Sequence, residues 1–166
     1  DLFSSPTQSV LRGLIRNAKF LGTKVIFQAI KHLSILYTKK PKDCGTYLIH
    51  KDLKIDQNMI STKKGIYFID FGSSILTKYY FLTDIVELST DHFANKVNFD
   101  LLETFIKEIG LDNLNIEYLR SQIFLLLLRR YLHFPAVDRA NELKMANVKE
   151  FLDNLDALVA TFKLKQ

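Results

Sequence analysis

Apolar residues set the pattern of this chain. Between residues 9 and 37, Val10, Leu11, Leu14, Ile15, Ala18, Leu21, Val25, Ala29, Leu33 and Leu36 recur at steps of three and four. That spacing stacks side chains on one face of an α-helix. Ser5-Pro6-Thr7 reads as the helix entry, and Gly22 predicts a break into two helices. Lys39-Lys40-Pro41-Lys42-Asp43 is a loop, and Tyr47-Leu48-Ile49 a short strand-like entry. Met59-Ile60-Ser61 and Ile66-Tyr67-Phe68-Ile69 read as two strands joined by the polar turn 62–65. Beyond Gly72 the pattern is helical for the remainder, over 83–94 with Asp84 in the first turn, 100–109 closed by Gly110, 116–133 and 147–162. The expected fold class is mainly α with a small β-hairpin (α+β), in a single domain over 1–166. The tail helices are expected to pack against the segment from Val10 to Leu36 and to bury the leucines around Leu125.

Composition narrows the function classes. The chain has 166 residues, 48% hydrophobic and 25% charged, which excludes a disordered or collagen-like polymer. Its single cysteine, Cys44, excludes an intramolecular disulfide and a cysteine zinc cage, so a cytoplasmic location is expected. The formal charge of +5 suits anionic ligands such as nucleotides. The basic residues are scattered, and nothing in them argues for nucleic acid. The densest apolar run, 123–128, stops at Arg129-Arg130 and falls well short of the ~18 residues of a membrane span, so it reads as a buried core helix. The chain begins at Asp1 rather than at methionine; a fragment, a processed product or a renumbered chain is expected.

The chemistry concentrates between Leu48 and Gly72, which holds His50-Lys51-Asp52-Leu53-Lys54, Gln57-Asn58-Met59-Ile60 and Ile69-Asp70-Phe71-Gly72. A hairpin brings Asn58 and Asp70 to one end, because the amide precedes one strand and the carboxylate closes its partner. Both then offer hard oxygens to Mg²⁺, which takes its remaining ligands from substrate phosphates. Asp52 is left nearby to accept a proton or orient a hydroxyl. Phosphoryl transfer needs positioning and charge neutralisation, and such a trio supplies both.

His50-Lys51-Asp52 with Asp70-Phe71-Gly72, the two aspartates 18 residues apart, resembles the catalytic and metal-binding loops of the protein-kinase-like superfamily. The match is to its small-molecule branch, the aminoglycoside phosphotransferase and choline kinase group. The resemblance implies ATP and Mg²⁺ as cofactors, Asp52 as catalytic base, Asp70 as a metal ligand and His50 as a brace of the loop. Asp84, in Thr83-Asp84-Ile85-Val86-Glu87-Leu88, resembles the helix-start aspartate that stabilises the catalytic loop in that branch. Phe105-Ile106-Lys107-Glu108-Ile109-Gly110 and the leucine-rich helix to Arg130 resemble its helical tail. In the family the metal-binding amide lies five residues after the catalytic aspartate. That position is Gln57 here, whereas Asn58 is the residue that directly precedes the apolar pair Met59-Ile60. Asn58 is the favoured ligand, and Gln57 in its place implies a weakened or inactive enzyme.

Lys54 occupies the place of a lysine that approaches the transferred phosphate in protein serine/threonine kinases, and is expected to contact the nucleotide phosphates. Only 11 residues separate Gly72 from Asp84 and no Ala-Pro-Glu follows, so the expected partner is a small-molecule hydroxyl, with a protein substrate as a further alternative. No glycine-rich phosphate loop, strand lysine or partner glutamate can be placed in the 49 residues before His50. The resemblance therefore covers a C-terminal lobe and implies an N-terminal lobe on a missing segment. A non-catalytic kinase-like binding module is the rival from another class. Neither a nucleic-acid nor a membrane partner is expected. His32, His92 and His133 read as surface or satisfied positions, Cys44 as a non-catalytic loop thiol, and Tyr79-Tyr80-Phe81 as packing or pocket lining beside the metal loop.

Overall fold

The computed structural model describes residues 5–41, 46–51, 53, 58–77, 81–91, 96–111, 113–132 and 142–164. The elements run α1 (Ser5–Thr38), β1 (Tyr47–Ile49), β2 (Met59–Thr62), β3 (Gly65–Phe68), a 3₁₀ turn (Phe71–Ser73), β4 (Ile75–Thr77), α2 (Thr83–Leu88), β5 (Thr90–Asp91), β6 (Lys96–Val97), α3 (Phe99–Glu108), α4 (Ile116–Tyr131) and α5 (Glu142–Ala160). The architecture is mixed α+β and mostly helical. The chain forms two compact units, one of Asp1–Pro41 with Gly110–Gln166, the other of Lys42–Ile109.

The first unit is built on α4. Every residue from Ser121 to Leu128 is buried, as expected of a helix that is apolar on all sides. Helices α1 and α5 both pack against it and against each other, so the tail helices do meet the Val10 to Leu36 segment and bury Leu125. Asn115 starts α4 by accepting the N–H groups of Glu117 and Tyr118 at 2.9 and 3.2 Å, satisfying donors that the first turn leaves free. Glu117 at its start and Arg129-Arg130 at its end suit the helix dipole.

The expected break in α1 falls at Gly22, whose φ of 73° and ψ of 165° are open essentially to glycine alone. Earlier in the helix, Gly13 matters for space rather than torsion. A Cβ there would lie 2.7 Å from Leu132 Cδ1 and 2.8 Å from Leu132 Cβ. Asn17 uses this close approach: its Nδ2 donates to the carbonyls of Gly13 and Leu132, both at 2.9 Å. At the far end of α5, the Arg120 guanidinium donates through Nε (2.9 Å) and Nη2 (2.6 Å) to the Phe162 carbonyl.

The second unit carries three two-stranded antiparallel ladders. Hairpin β2–β3 pairs Met59 with Phe68 and Thr62 with Gly65, as the alternating pattern predicts. The other two ladders correct the expectation that the pattern is helical for the remainder beyond Gly72. Strand β4 pairs with β1, Tyr47 opposite Thr77 and Ile49 opposite Ile75. A three-residue strand with a distant partner leaves no periodicity to read. The helix expected over 83–94 ends at Leu88, where Thr90 Oγ1 donates to the Val86 carbonyl at 2.6 Å and the Ser89 carbonyl accepts the Asn98 N–H at 2.7 Å. A hydroxyl bonded back to the helix and a β-branched backbone together favour the short β5–β6 ladder over another turn. Helix α3 matches its expected span to within a residue, and Gly110, φ 69°, ends it in the left-handed conformation usual after a helix. Among the described residues no helix is long and apolar enough to cross a membrane.

Two substitutions test the packing of the first unit. Gly13→Ala should cost about 1–3 kcal/mol, the usual penalty for overfilling a close contact. Leu125→Ala should cost about 2–5 kcal/mol through lost burial and the cavity left behind. Urea unfolding followed by far-ultraviolet circular dichroism measures both; a neutral Gly13→Ala would show that Leu132 does not press on that position.

Candidate functional site

The site is assembled around one residue, Ile69. Its N–H donates to the Asn58 carbonyl at 3.0 Å, which continues the β2–β3 ladder past Phe68. Its carbonyl accepts the His50 Nε2–H at 2.7 Å. Ile69 is therefore held from both sides, by the residue that opens the hairpin and by the residue that follows β1. Asp70, the next residue, emerges from a fixed point.

Asp70 adopts φ 61° and ψ 58° and precedes the 3₁₀ turn without capping it through its side chain. A non-glycine residue in that left-handed region carries strain that persists where surrounding bonds over-determine it, often at functional sites. The over-determining bonds here are those on Ile69 and the Ser74 N–H donated to the Phe71 carbonyl at 3.0 Å, which closes the turn. Asp70 is exposed, and a Cβ on Gly72 would lie 3.4 Å from its Oδ1.

Asn58 lies at the same end of the hairpin and is buried, and its side-chain Oδ1 has no hydrogen-bond partner among the described residues. Leaving a buried amide oxygen unpaired costs about 1–3 kcal/mol unless a ligand or ion completes it. His50 is buried as well, and its Nε2–H bond to a carbonyl fixes the proton on Nε2 in the neutral ring. Its Nδ1 is then an acceptor, buried and without a partner among the described residues. The ring packs against Phe71 with centroids 4.9 Å apart.

The backbone leading into residue 52 is clamped by Asp84, in the first turn of α2. Its Oδ2 accepts the His50 N–H at 2.6 Å and its Oδ1 accepts the Lys51 N–H at 2.9 Å. Lys51 has φ 71°, so the chain reverses there and presents two successive N–H groups to one carboxylate. The pattern of residues carried no sign of this reversal; a lysine is not among the residue types that favour the left-handed region. Leu53, just beyond, is buried. Tyr47 and Phe81 meet with ring centroids 5.0 Å apart, which ties the entry to α2 back to β1.

Asp52, Lys54 and Gln57 lie outside the described residues, as do Cys44, Tyr79, Tyr80, His92 and His133. Of the expected site residues, the structure therefore places Asn58 and Asp70 at one end of the hairpin, with His50 and Asp84 fixing their surroundings. Among the described residues no group of three His, Cys, Asp or Glu side chains could hold a metal. No family model, curated protein or solved structure matches the chain.

The clamp gives a direct prediction. Asp84→Ala removes both acceptors, so the amides of His50 and Lys51 should lose protection from hydrogen exchange, with a loss of stability of about 1–3 kcal/mol for a stranded donor. Asp84→Asn retains one good acceptor and should lie between the two. Protection at those amides that survives Asp84→Ala would remove the clamp from the account.

Proposed function

We propose that this chain is the helical lobe of an ATP-dependent phosphotransferase of the protein-kinase-like superfamily, acting on the hydroxyl of a small molecule such as a sugar, an aminoglycoside or an amino alcohol. The observation that carries this reading is the double anchoring of Ile69. It sets a strained Asp70 carboxylate at the hairpin end where the buried Asn58 Oδ1 lacks a partner among the described residues. An amide oxygen and a carboxylate fit Mg²⁺, which binds hard oxygens, takes one or two from the protein and leaves the rest to phosphates. When bound, the ion neutralises charge on the phosphates during transfer. In this reading Asn58 and Asp70 hold Mg²⁺, Asp52 takes the proton of the acceptor hydroxyl, and Lys54 faces the nucleotide phosphates. His50 and Asp84 are positioning residues, one fixing the peptide before Asp70 and the other the backbone before Asp52.

A small-molecule acceptor is supported by how the chain after Asp70 is used. It is taken up at once by the 3₁₀ turn, by β4 and, from Thr83, by α2, so no long activation segment intervenes. An N-terminal lobe on a further segment belongs to this proposal, since the resemblance places ATP in the cleft between two lobes. The alternative, a non-catalytic kinase-like binding module, draws on one observation. Ile60 and Tyr67 on one face of the hairpin, and Ile66 and Phe68 on the other, are all exposed, more apolar surface than a strand pair usually leaves to solvent.

The test is a pair of variants in the full-length protein. Asp70→Ala should abolish Mg²⁺-dependent ATP binding, measured by calorimetry. Asp52→Asn should leave that binding nearly unchanged and lower transfer of labelled phosphate to amino sugars or amino alcohols by about 10²–10⁴-fold, the range for lost general-base help. Equal losses of nucleotide affinity would overturn the assignment of roles. Absence of Mg²⁺-ATP binding in the unaltered protein would favour the binding module.

A further inference from the structure

Helix α1 turns one side to its neighbours and the other to solvent. The inner side is fixed on both halves of the kinked helix. Val10, Leu14, Leu21, Val25, Ala29 and Leu36 are buried, and Asn17 Nδ2 donates to the Leu132 carbonyl at 2.9 Å. His32 lies between Ser121 of α4, 2.9 Å from Nδ1 to Oγ, and Asp156 of α5, 2.8 Å from Nε2 to Oδ1. The outward side is therefore held outward. Before Gly22 it presents Arg12, Ile15, Arg16 and Lys19; after Gly22 it presents Thr23, Phe27, Ile30, Ser34 and Tyr37, all of them exposed. The second set recurs at alternating steps of four and three, which lays it along one stripe, and no member is charged. Phe27, Ile30 and Tyr37 are 71%, 53% and 68% exposed. Single apolar residues on a surface need no explanation, but three large ones on one stripe mark a contact face.

Charge says what the face contacts. Between residues 2 and 42 there are eight lysines and arginines and no acidic residue. The formal charge of the whole chain is +5, so the rest of it is acidic on balance, and the positive charge is gathered on α1 and the residues just after it. Acids of the neighbouring helices meet α1 at its margin, where Asp156 takes Lys31 Nζ at 3.2 Å and Glu117 takes Lys39 Nζ at 3.5 Å. A second copy of this face is a poor occupant, because it would set cations against cations. The three side chains also expose only roughly 400 Å² together, about half of the ~800 Å² that a stable protein interface takes from each partner. A fluid, negatively charged surface asks for neither a matching shape nor that area. It asks for a basic, one-sided apolar helix, and α1 is one.

We propose that the outward side of α1 docks on an anionic lipid surface. Phe27, Ile30 and Tyr37 enter the boundary between headgroups and acyl chains, with the Tyr37 hydroxyl left at the wet level. Arg12, Arg16 and Lys19 meet the headgroup phosphates, and the stem of Lys24 runs along the edge of the apolar stripe with its charge in water. The two halves of α1 thus supply the two signals, apolar insertion and charge, that stable surface binding requires. That no described helix can cross a bilayer bears on spanning one, whereas lying on one needs a single apolar face. The proposal departs from the expectation of no membrane partner. It shares no residue with the phosphotransferase site, so the two readings stand or fall separately.

The experiment is flotation of the full-length protein with vesicles of phosphatidylcholine, either alone or with one third phosphatidylglycerol, at low and high salt. The protein should float with the anionic vesicles, stay behind with the neutral ones, and be released by salt. Arg12→Gln with Arg16→Gln should weaken partitioning about fivefold for each cation removed. Phe27→Ser with Ile30→Ser should weaken it by about tenfold or more, with thermal unfolding unchanged because both side chains are exposed. A protein that stays behind with both kinds of vesicle, or flotation that the Phe27→Ser, Ile30→Ser pair leaves intact, overturns the proposal. So does a dimer in sedimentation that the same pair dissolves, which would give the face to a second copy.

Discussion

The unit that carries the candidate site depends on a single aspartate at the start of a six-residue helix. Asp84 takes the N–H groups of His50 and Lys51 on its two oxygens, and a charged acceptor makes each of these bonds stronger than a neutral one would be. Without them Lys51 would have little reason to hold a positive φ, and His50 would leave β1 in another direction. With them, the His50 ring sits where Nε2 reaches the Ile69 carbonyl. One carboxylate thereby governs the direction of the chain before residue 52 and, through the imidazole, the position of the chain before Asp70. Two carboxylates far apart in sequence are coupled through two backbone segments and one ring.

That coupling explains how a small β content positions so much. None of the three ladders is longer than four residue pairs, and an isolated hairpin of that size is marginal in water. Here each ladder has its end fixed by one further contact rather than by further strands. The Asn58 carbonyl extends the hairpin to Ile69, Tyr47 and Phe81 close the β1–β4 ladder, and Thr90 redirects the chain from α2 into β5. The price includes unsatisfied polarity beside Ile69. Asn58 Oδ1 and His50 Nδ1 both lack partners among the described residues, and both side chains belong to the residues that anchor Ile69.

Much of this was legible in the chain because the strongest signals are local. The break at Gly22, the β2–β3 hairpin, the span of α3 and the buried α4 follow from spacing, glycine placement and an apolar run cut off by Arg129-Arg130. Asn58 and Asp70 were found at one hairpin end because a hairpin is a local object whose ends are fixed by its turn. What the sequence hid is non-local or conformational. Strand β4 is defined by its pairing with β1 and not by any pattern of its own. The early end of α2 depends on Ser89 accepting the Asn98 N–H across the β5–β6 turn. The left-handed Lys51 is a consequence of Asp84, 33 residues later. His32 read as one more helical histidine, since its partners Ser121 and Asp156 lie 89 and 124 residues away.

Both units place a buried imidazole where it ties backbone segments or helices together, but the two rings are held differently. His50 donates to a carbonyl, and its second nitrogen has no partner among the described residues. His32 engages both nitrogens, Nε2 with the Asp156 carboxylate and Nδ1 with the Ser121 hydroxyl. The same side chain therefore ties two backbone segments in one unit and three helices in the other, and the difference comes from the partners that the fold brings to each ring.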